Sequence, residues 1–328
     1  MTAPIPGGTG AVIPLAGKII SFEEGTVGGR IVCLERTGEV LDSMDLAAMP
    51  TGAVSTASRL LLLLGDDVAS RRDGELLGLE ISGVKIKQAW SRTVPGSCRG
   101  GLCLVGGSVV VAGDDSLLMA DAADGTTSWE RRDLGRVSAV CPLGRDLLAA
   151  HGGLLLLVDA RSGETLREYP GSAEEILSVA SAARTFYITT GTGNRGRLEA
   201  VSRDTGERLW SRDFSARLGA GIAVGEDSLV VFEANKLISL KPDGGARLAP
   251  FLPAASWNSP PALALGMLVA VDGSRVVVLD PALGGEIWSL ELKGGDENGP
   301  FSSVSIIDGR IYLRSPGELV CVGQEDAY

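Results

Sequence analysis

Gly196-Arg197-Leu198-Glu199-Ala200-Val201-Ser202-Arg203-Asp204-Thr205-Gly206-Glu207-Arg208-Leu209-Trp210 is the clearest copy of a pattern that returns along the whole chain. A short apolar run leads into a turn with a glycine, and a Trp or a replacement for it follows. The turn glycines are Gly38, Gly83, Gly125, Gly163, Gly206, Gly244 and Gly285, spaced 45, 42, 38, 43, 38 and 41 residues apart. That is the period of a four-stranded propeller blade, though helical solenoids repeat at similar lengths. Composition decides between them. The apolar runs Leu60–Leu64, Val109–Val111, Leu154–Leu157 and Val276–Val278 are short and lie close to Gly, Asp, Ser or Pro. Such runs suit buried strands and are too short for ordinary helices. The 45 glycines in 328 residues argue the same way, since each interior glycine weakens a helix by about 1 kcal/mol relative to alanine.

Each copy reads as four strands. The fourth divides into Val137–Pro142, Asp146–Ala150, Leu154–Asp159 and Thr165–Tyr169. The fifth divides into Ile176–Ser181, Thr185–Thr190, Gly196–Ser202 and Arg208–Asp213. Glycine-bearing hairpins such as His151-Gly152-Gly153 join them, because glycine adopts positive φ without steric cost. After the seventh turn, Ser302–Ile307, Arg310–Arg314 and Glu318–Val322 read as three strands of an eighth blade. The segment before Gly17 is the expected source of that blade's outer strand. The fold expected is therefore all-β: a single β-propeller over residues 1–328, with eight four-stranded blades and a short tail at 324–328. Seven blades with an irregular closure is the other count.

The copies at Leu198–Trp210, Val276–Trp288 and Leu157–Leu166 resemble quinoprotein-type (PQQ-like) β-propeller repeats, and the resemblance covers nearly the whole chain. It implies the fold. It implies little about activity, because that family holds dehydrogenases, assembly scaffolds and sensors alike. Quinone-dependent dehydrogenases of this family are typically longer, and often carry adjacent cysteines and a Glu/Asn/Asp calcium site. This chain has no Cys-Cys pair, so no cofactor residue is carried over and no cofactor is expected.

The formal net charge is −11, which disfavours nucleic acid as a partner. No apolar stretch reaches the ~20 residues of a membrane span. Met1–Gly8 lacks a basic segment followed by an apolar one, so no signal peptide is read. The expected place is the cytoplasm, or the periplasm if a leader has been removed. Five cysteines cannot all pair within one chain, and Cys33, Cys103, Cys141 and Cys321 fall at repeated strand positions. They read as reduced core thiols. Cys98 and Cys103 lack the second Cys/His pair of a metal site.

Trp90, Trp129, Trp210 and Trp288 begin or lie in the outer strands of their copies. They read as docks that bury a ring against the next blade and donate the indole N–H to a backbone carbonyl. Copies with Asp42, Arg167 or Ala249 near that position are expected to dock more weakly. Trp257 breaks the pattern. It lies beside Asn258 in a proline-flanked loop that enters an inner strand, and reads either as a ligand or partner anchor or as a ring that plugs the channel or packs the loop.

The first strand of each blade lines a propeller's channel. The expected inner strands are Gly52–Ala57, Gly101–Val105, Val137–Pro142, Ile176–Ser181, Gly219–Val224, Pro261–Leu265 and Ser302–Ile307, and they contain no Asp, Glu, His, Lys or Arg. Convergent carboxylates for hydrolytic chemistry are missing there. The single histidine, His151, lies in a tight hairpin. Gly113-Asp114-Asp115 and Gly65-Asp66-Asp67 read as solvated turns. Gly191–Gly196 has a phosphate-loop spacing but joins two strands, where such a loop would open a helix.

What remains is the channel mouth, where Arg99, Arg136, Glu175, Arg217 and Asn258 precede inner strands and, with Trp257, would ring one face. Arginine with an aromatic residue on a rigid ring suits protein recognition. The function expected is a non-catalytic scaffold that binds a protein or peptide, alone or as a subunit of a larger complex. The alternative is a small-ligand or quinone-dependent site at the mouth. A regulatory subunit is a third reading.

Overall fold

The computed structural model describes residues 12–322 apart from 26–27, 66–72, 98–100, 170–173, 183, 219–220, 234–235, 245–261, 265, 273–274, 282–284, 293–302, 308–309 and 316–317. The described residues form strands and no helix, in eight antiparallel sheets. The sheets are successive propeller blades: residues 12–46, 50–94, 101–131, 137–169, 176–214, 223–240, 262–291 and 303–322, numbered here 1 to 8. Six have four strands in chain order. Blades 6 and 8 have three among the described residues. The expected tail at 324–328 lies outside the described residues.

Ring closure is visible in the inner strands. Those of blades 1 to 8 are Val12–Leu15, Pro50–Ser55, Gly101–Val105, Val137–Leu143, Ile176–Ser181, Ala223–Val224, Ala262–Ala264 and Ser303–Ile307. Each touches the next, and the last touches the first. Eight blades, not seven, complete the circle. The expectation for the segment before Gly17 is narrowed. Val12–Leu15 pairs with Lys18–Ser21 as the inner strand of blade 1, so it is not available as the outer strand of blade 8. Residues 1–11 lie outside the described residues.

The apolar runs make sense once the blades are stacked. A central strand has a neighbouring blade on each face, so both parities must be apolar. In Leu60–Leu64, Leu60, Leu62 and Leu64 face the core shared with blade 1. Leu61 and Leu63 face the core shared with blade 3. Val109 and Val111 likewise face one seam, and Val110 the other. Each of the eight seams has its own cluster of buried residues. Burying one such side chain stabilises by about 1.5–3 kcal/mol, which outweighs the low strand propensity of leucine.

Outer strands are attached in one way. In blades 1–5 and 7 the register between third and fourth strands slips just before the docking residue, leaving Leu41, Ala89, Ser128, Leu166, Leu209 or Ile287 without a partner. Such bulges increase local twist and re-aim the next side chain. In blades 4, 5 and 7 the extra residue turns outward: Leu166, Leu209 and Ile287 are 52%, 56% and 55% exposed. The residue after it turns toward the following blade. Trp129 donates its indole N–H to Ala160 O at 2.8 Å, and Trp210 donates to Pro242 O at 2.9 Å. A Cβ added at Gly163 would lie 2.7 Å from Trp129, and one at Gly244 2.7 Å from Trp210. These turn residues are glycine because the ring occupies the space of a side chain, and their φ of 76° and 86° is left-handed.

The expectation of weak docking at Arg167 is overturned. Arg167 donates to Asp204 O and Thr205 O, each at 2.6 Å. Its guanidinium stacks 4.9 Å from the ring centre of Tyr169, and the Tyr169 hydroxyl donates to Arg203 O at 3.0 Å. The aromatic residue has moved two positions along the same face of the strand, and Tyr169 is fully buried. A Tyr169→Phe variant should lose about 1 kcal/mol of stability in a urea titration. A loss near zero would show that the hydroxyl contributes nothing to the seam.

Asp42 also docks, through its charge. It accepts from the Ile86 amide at 2.9 Å and from Lys85 Nζ at 3.1 Å. The Ile86 N–H, then Lys85, hold its carboxyl below the ordinary value of 3.8. Ala249 lies outside the described residues. Trp288, expected to dock like the others, is 40% exposed.

Candidate functional site

In an antiparallel blade, the loop entering the inner strand and the hairpin joining the second and third strands lie at the same end. That end carries the charged face. Arg136 precedes the inner strand of blade 4, and its Nη1 lies 3.1 Å from Glu175 Oε1 before the inner strand of blade 5. Its Nε lies 3.5 Å from Asp114 Oδ1 in the hairpin of blade 3. His151 Nδ1 lies 3.2 Å from the Arg136 carbonyl. One arginine thus spans three blades. The pairs are solvated, with 56% of the Arg136 side chain exposed. Such pairs contribute about 0–1 kcal/mol, so their charge is more useful for recognition than for holding the ring together.

Arg217 is presented differently. Its loop is fixed from below by Glu233, whose Oε1 accepts from Ser215 N at 2.7 Å, Ser215 Oγ at 2.9 Å and Ala216 N at 3.2 Å. Leu218 forms an isolated bridge to Glu233 and is buried. The backbone is held on both sides of an exposed Arg217, which makes no ion pair among the described residues. Arg99, Trp257 and Asn258 lie outside the described residues. The structure therefore brings Arg136 and Glu175 together and places Arg217 at the same end.

Sequence reasoning missed Glu233, since nothing in Glu233-Ala234-Asn235-Lys236 signals a loop clamp eighteen residues earlier. It assigned Asp114 to a solvated turn, whereas Asp114 faces Arg136. It also passed over Glu199, a buried carboxylate in the first copy quoted above. Arg208 and Arg197 lie 3.5 and 3.8 Å from its Oε1, which neutralises it without supplying a reactive partner.

The described inner strands carry no Asp, Glu, His, Lys or Arg. Their polar groups serve the wall itself. Ser138 Oγ donates to Ile176 O of the next blade at 2.6 Å, and Ser178 meets Thr189 at 2.6 Å. Burial pushes the thiol of Cys103 far above the usual thiol range and raises that of Cys141. Protonated thiols are poor nucleophiles and metal ligands. Cys33, Cys103, Cys141 and Cys321 are free thiols. Cys33 and Cys103 are buried, as expected of core thiols, but Cys321 is exposed. Among the described residues no group of three His, Cys, Asp or Glu could hold a metal ion, and no helix is long and apolar enough to cross a membrane.

Comparison with known proteins follows the geometry. A family profile described as "Outer membrane protein assembly factor BamB" matches residues 27–186 and 194–326. No curated protein matches the chain. Among solved structures, BamB from Moraxella catarrhalis is similar with a TM-score of 0.72 at 15% identity, covering 100% of this chain and 97% of that one. The computationally designed Ika8 protein is similar with a TM-score of 0.74 at 13% identity, covering 97% and 98%. At these identities the structural likenesses show the fold alone.

Proposed function

The chain belongs to the BamB-like family of PQQ-type propellers, and from that premise we propose that it is a non-catalytic scaffold. It holds a protein or peptide partner on the face bearing Arg136, Glu175 and Arg217, with Arg99, Trp257 and Asn258 completing that face. The carrying observation is the contrast between wall and mouth. The described channel strands hold no Asp, Glu, His, Lys or Arg. The entry loops at one end present an arginine-centred charge cluster across blades 3 to 5 and a clamped loop with an exposed arginine. Rigid loops lose little entropy on binding, which favours recognition by this face. The family description adds membrane-protein assembly as the class of process in which such a scaffold works. The four free thiols among the described residues favour a reducing compartment.

Affinity capture tests the face. An Arg136→Ala/Arg217→Ala/Trp257→Ala variant should recover less than about a tenth of the partner held by the wild type, because interface arginines and tryptophans are the usual energetic centres. Its melting curve should stay close to that of the wild type, since Arg136 and Arg217 are exposed and Trp257 is read as a partner anchor. Equal recovery of the same partner by both proteins would exclude this face.

A further inference from the structure

Gly191–Gly196, which spaces its glycines like a phosphate loop, is a hairpin at the mouth end of blade 5. Its strands Thr185–Thr192 and Arg195–Ser202 pair along their length, and Thr192 faces Arg195 across a two-residue turn. The first and last glycines serve packing. A Cβ at Gly191 would lie 2.8 Å from the Arg195 carbonyl oxygen. One at Gly196 would lie 2.7 Å from Leu218 Cγ, 2.8 Å from Leu218 N and 3.0 Å from Ala216 O. The hairpin of blade 5 thus rests directly on the entry loop of blade 6. In each element an arginine precedes the contact: Arg195 stands before Gly196, and Arg217 before Leu218. Both arginines are exposed, and neither makes an ion pair among the described residues.

Carboxylates of the adjoining strands and loops are engaged with other groups. Glu233 holds Ser215 and Ala216, and Glu175 faces Arg136. Asp213 accepts from Arg197 Nε at 2.6 Å, and the buried Glu199 lies near both Arg197 and Arg208. The charge of Arg136 is met by Glu175 and Asp114 within the protein. Arg195 and Arg217 are different: on a chain of net charge −11 they are cations that no described carboxylate compensates. Both sit on short, braced elements. Arg195 is held by its ladder pairing with Thr192, and Arg217 by the Glu233 clamp and the buried Leu218. Little entropy is lost when such groups take up a ligand.

We propose that Arg195 and Arg217 anchor an acidic segment of the partner protein, one that brings Asp or Glu side chains to both guanidinium groups. The inference rests on the reading that this face holds a protein partner; it adds Arg195 to the face and names the partner's chemistry. Arginine suits that ligand, because its planar fork of donors matches a carboxylate in paired N–H···O contacts. The overall charge sets the ligand's size. Repulsion from the rest of an acidic chain grows with the charge a ligand carries beyond the site. A short carboxylate segment is therefore favoured over a nucleic acid or a polyphosphate.

The test is fluorescence anisotropy of a labelled peptide, Gly-Asp-Glu-Asp-Glu-Gly, titrated with the full chain at about 0.15 M salt, where charges beyond about 8 Å are screened. Saturable binding is expected, and none for Gly-Asn-Gln-Asn-Gln-Gly. Arg195→Gln/Arg217→Gln should weaken binding at least about tenfold, with a melting curve like that of the wild type because both side chains are exposed. Arg136→Ala should change it by less than about twofold, since that charge is already paired. Absence of saturable binding, or equal binding by the double variant, would overturn the inference. The broader reading of the face would then still stand if the Arg136→Ala/Arg217→Ala/Trp257→Ala protein loses its partner, so the two failures are distinguishable. Displacement of the labelled peptide by tripolyphosphate or an oligonucleotide at a lower concentration than by unlabelled peptide would also overturn it, by assigning the pair to phosphate.

Discussion

Trp129→Ala is expected to lower the unfolding free energy by about 3–5 kcal/mol, the usual range for deleting a large packed aromatic side chain. Three losses combine. The ring leaves the core shared by blades 3 and 4, where it packs among Met119, Leu156, Val158 and Ala160. The Ala160 carbonyl loses the indole donor at 2.8 Å. The buried Gly163, with φ at 76°, is left facing a void that its backbone cannot close. Trp288→Ala supplies the contrast. Its ring is 40% exposed, so its removal should lower stability by less than about 1–2 kcal/mol. Urea titrations of the two variants measure the difference directly, and the slope should not change if the ring still unfolds as a unit. Equal losses would mean that docking is not what these tryptophans share.

The contrast also marks what could be read before the fold was seen. The period and the apolar runs were legible because every blade must satisfy the same two-sided burial, so the same pattern recurs. Strand limits in blades 4 and 5 differ from expectation by one or two residues at most. Docking was legible where a tryptophan stood at the repeated position. It was illegible at Arg167-Glu168-Tyr169, because residues i and i+2 of a strand share a face and either can reach the neighbouring turn. A strand before Gly17 suits blade 8 or blade 1 equally well by composition. Only the pairing of Val12 with Ser21 decides. At the mouth, position was legible and partnership was not. Arg136 and Glu175 are 39 residues apart, and they meet because successive blades place equivalent entry loops side by side. Cys321 shares its repeat position with Cys33 but not its burial.

Gly78→Val should destabilise the protein by about 3 kcal/mol or more, although valine is among the best strand formers and glycine among the worst. Gly78 lies mid-strand, paired with Trp90 across the bulge. The indole lies flat on it: a Cβ at Gly78 would fall 2.6 Å from Trp90 Cδ2. On its other side the ring meets Gly125 of blade 3, where a Cβ would stand 2.6 Å from Cε3. Trp90 is thus held between two glycines from different blades, with no room to tilt away. The fit also explains why Trp90 Nε1, unlike that of Trp129 or Trp210, has no acceptor among the described residues. The ring is positioned by contact alone. A valine must therefore expel the indole from the seam or push blade 3 outward. The double variant separates this mechanism from simple strand disruption. With Trp90→Ala already present, Gly78→Val should add less than about 1 kcal/mol, because the space it needs has been vacated and strand propensity now favours it. Additive losses in that cycle would show that Gly78 matters for a reason other than the ring.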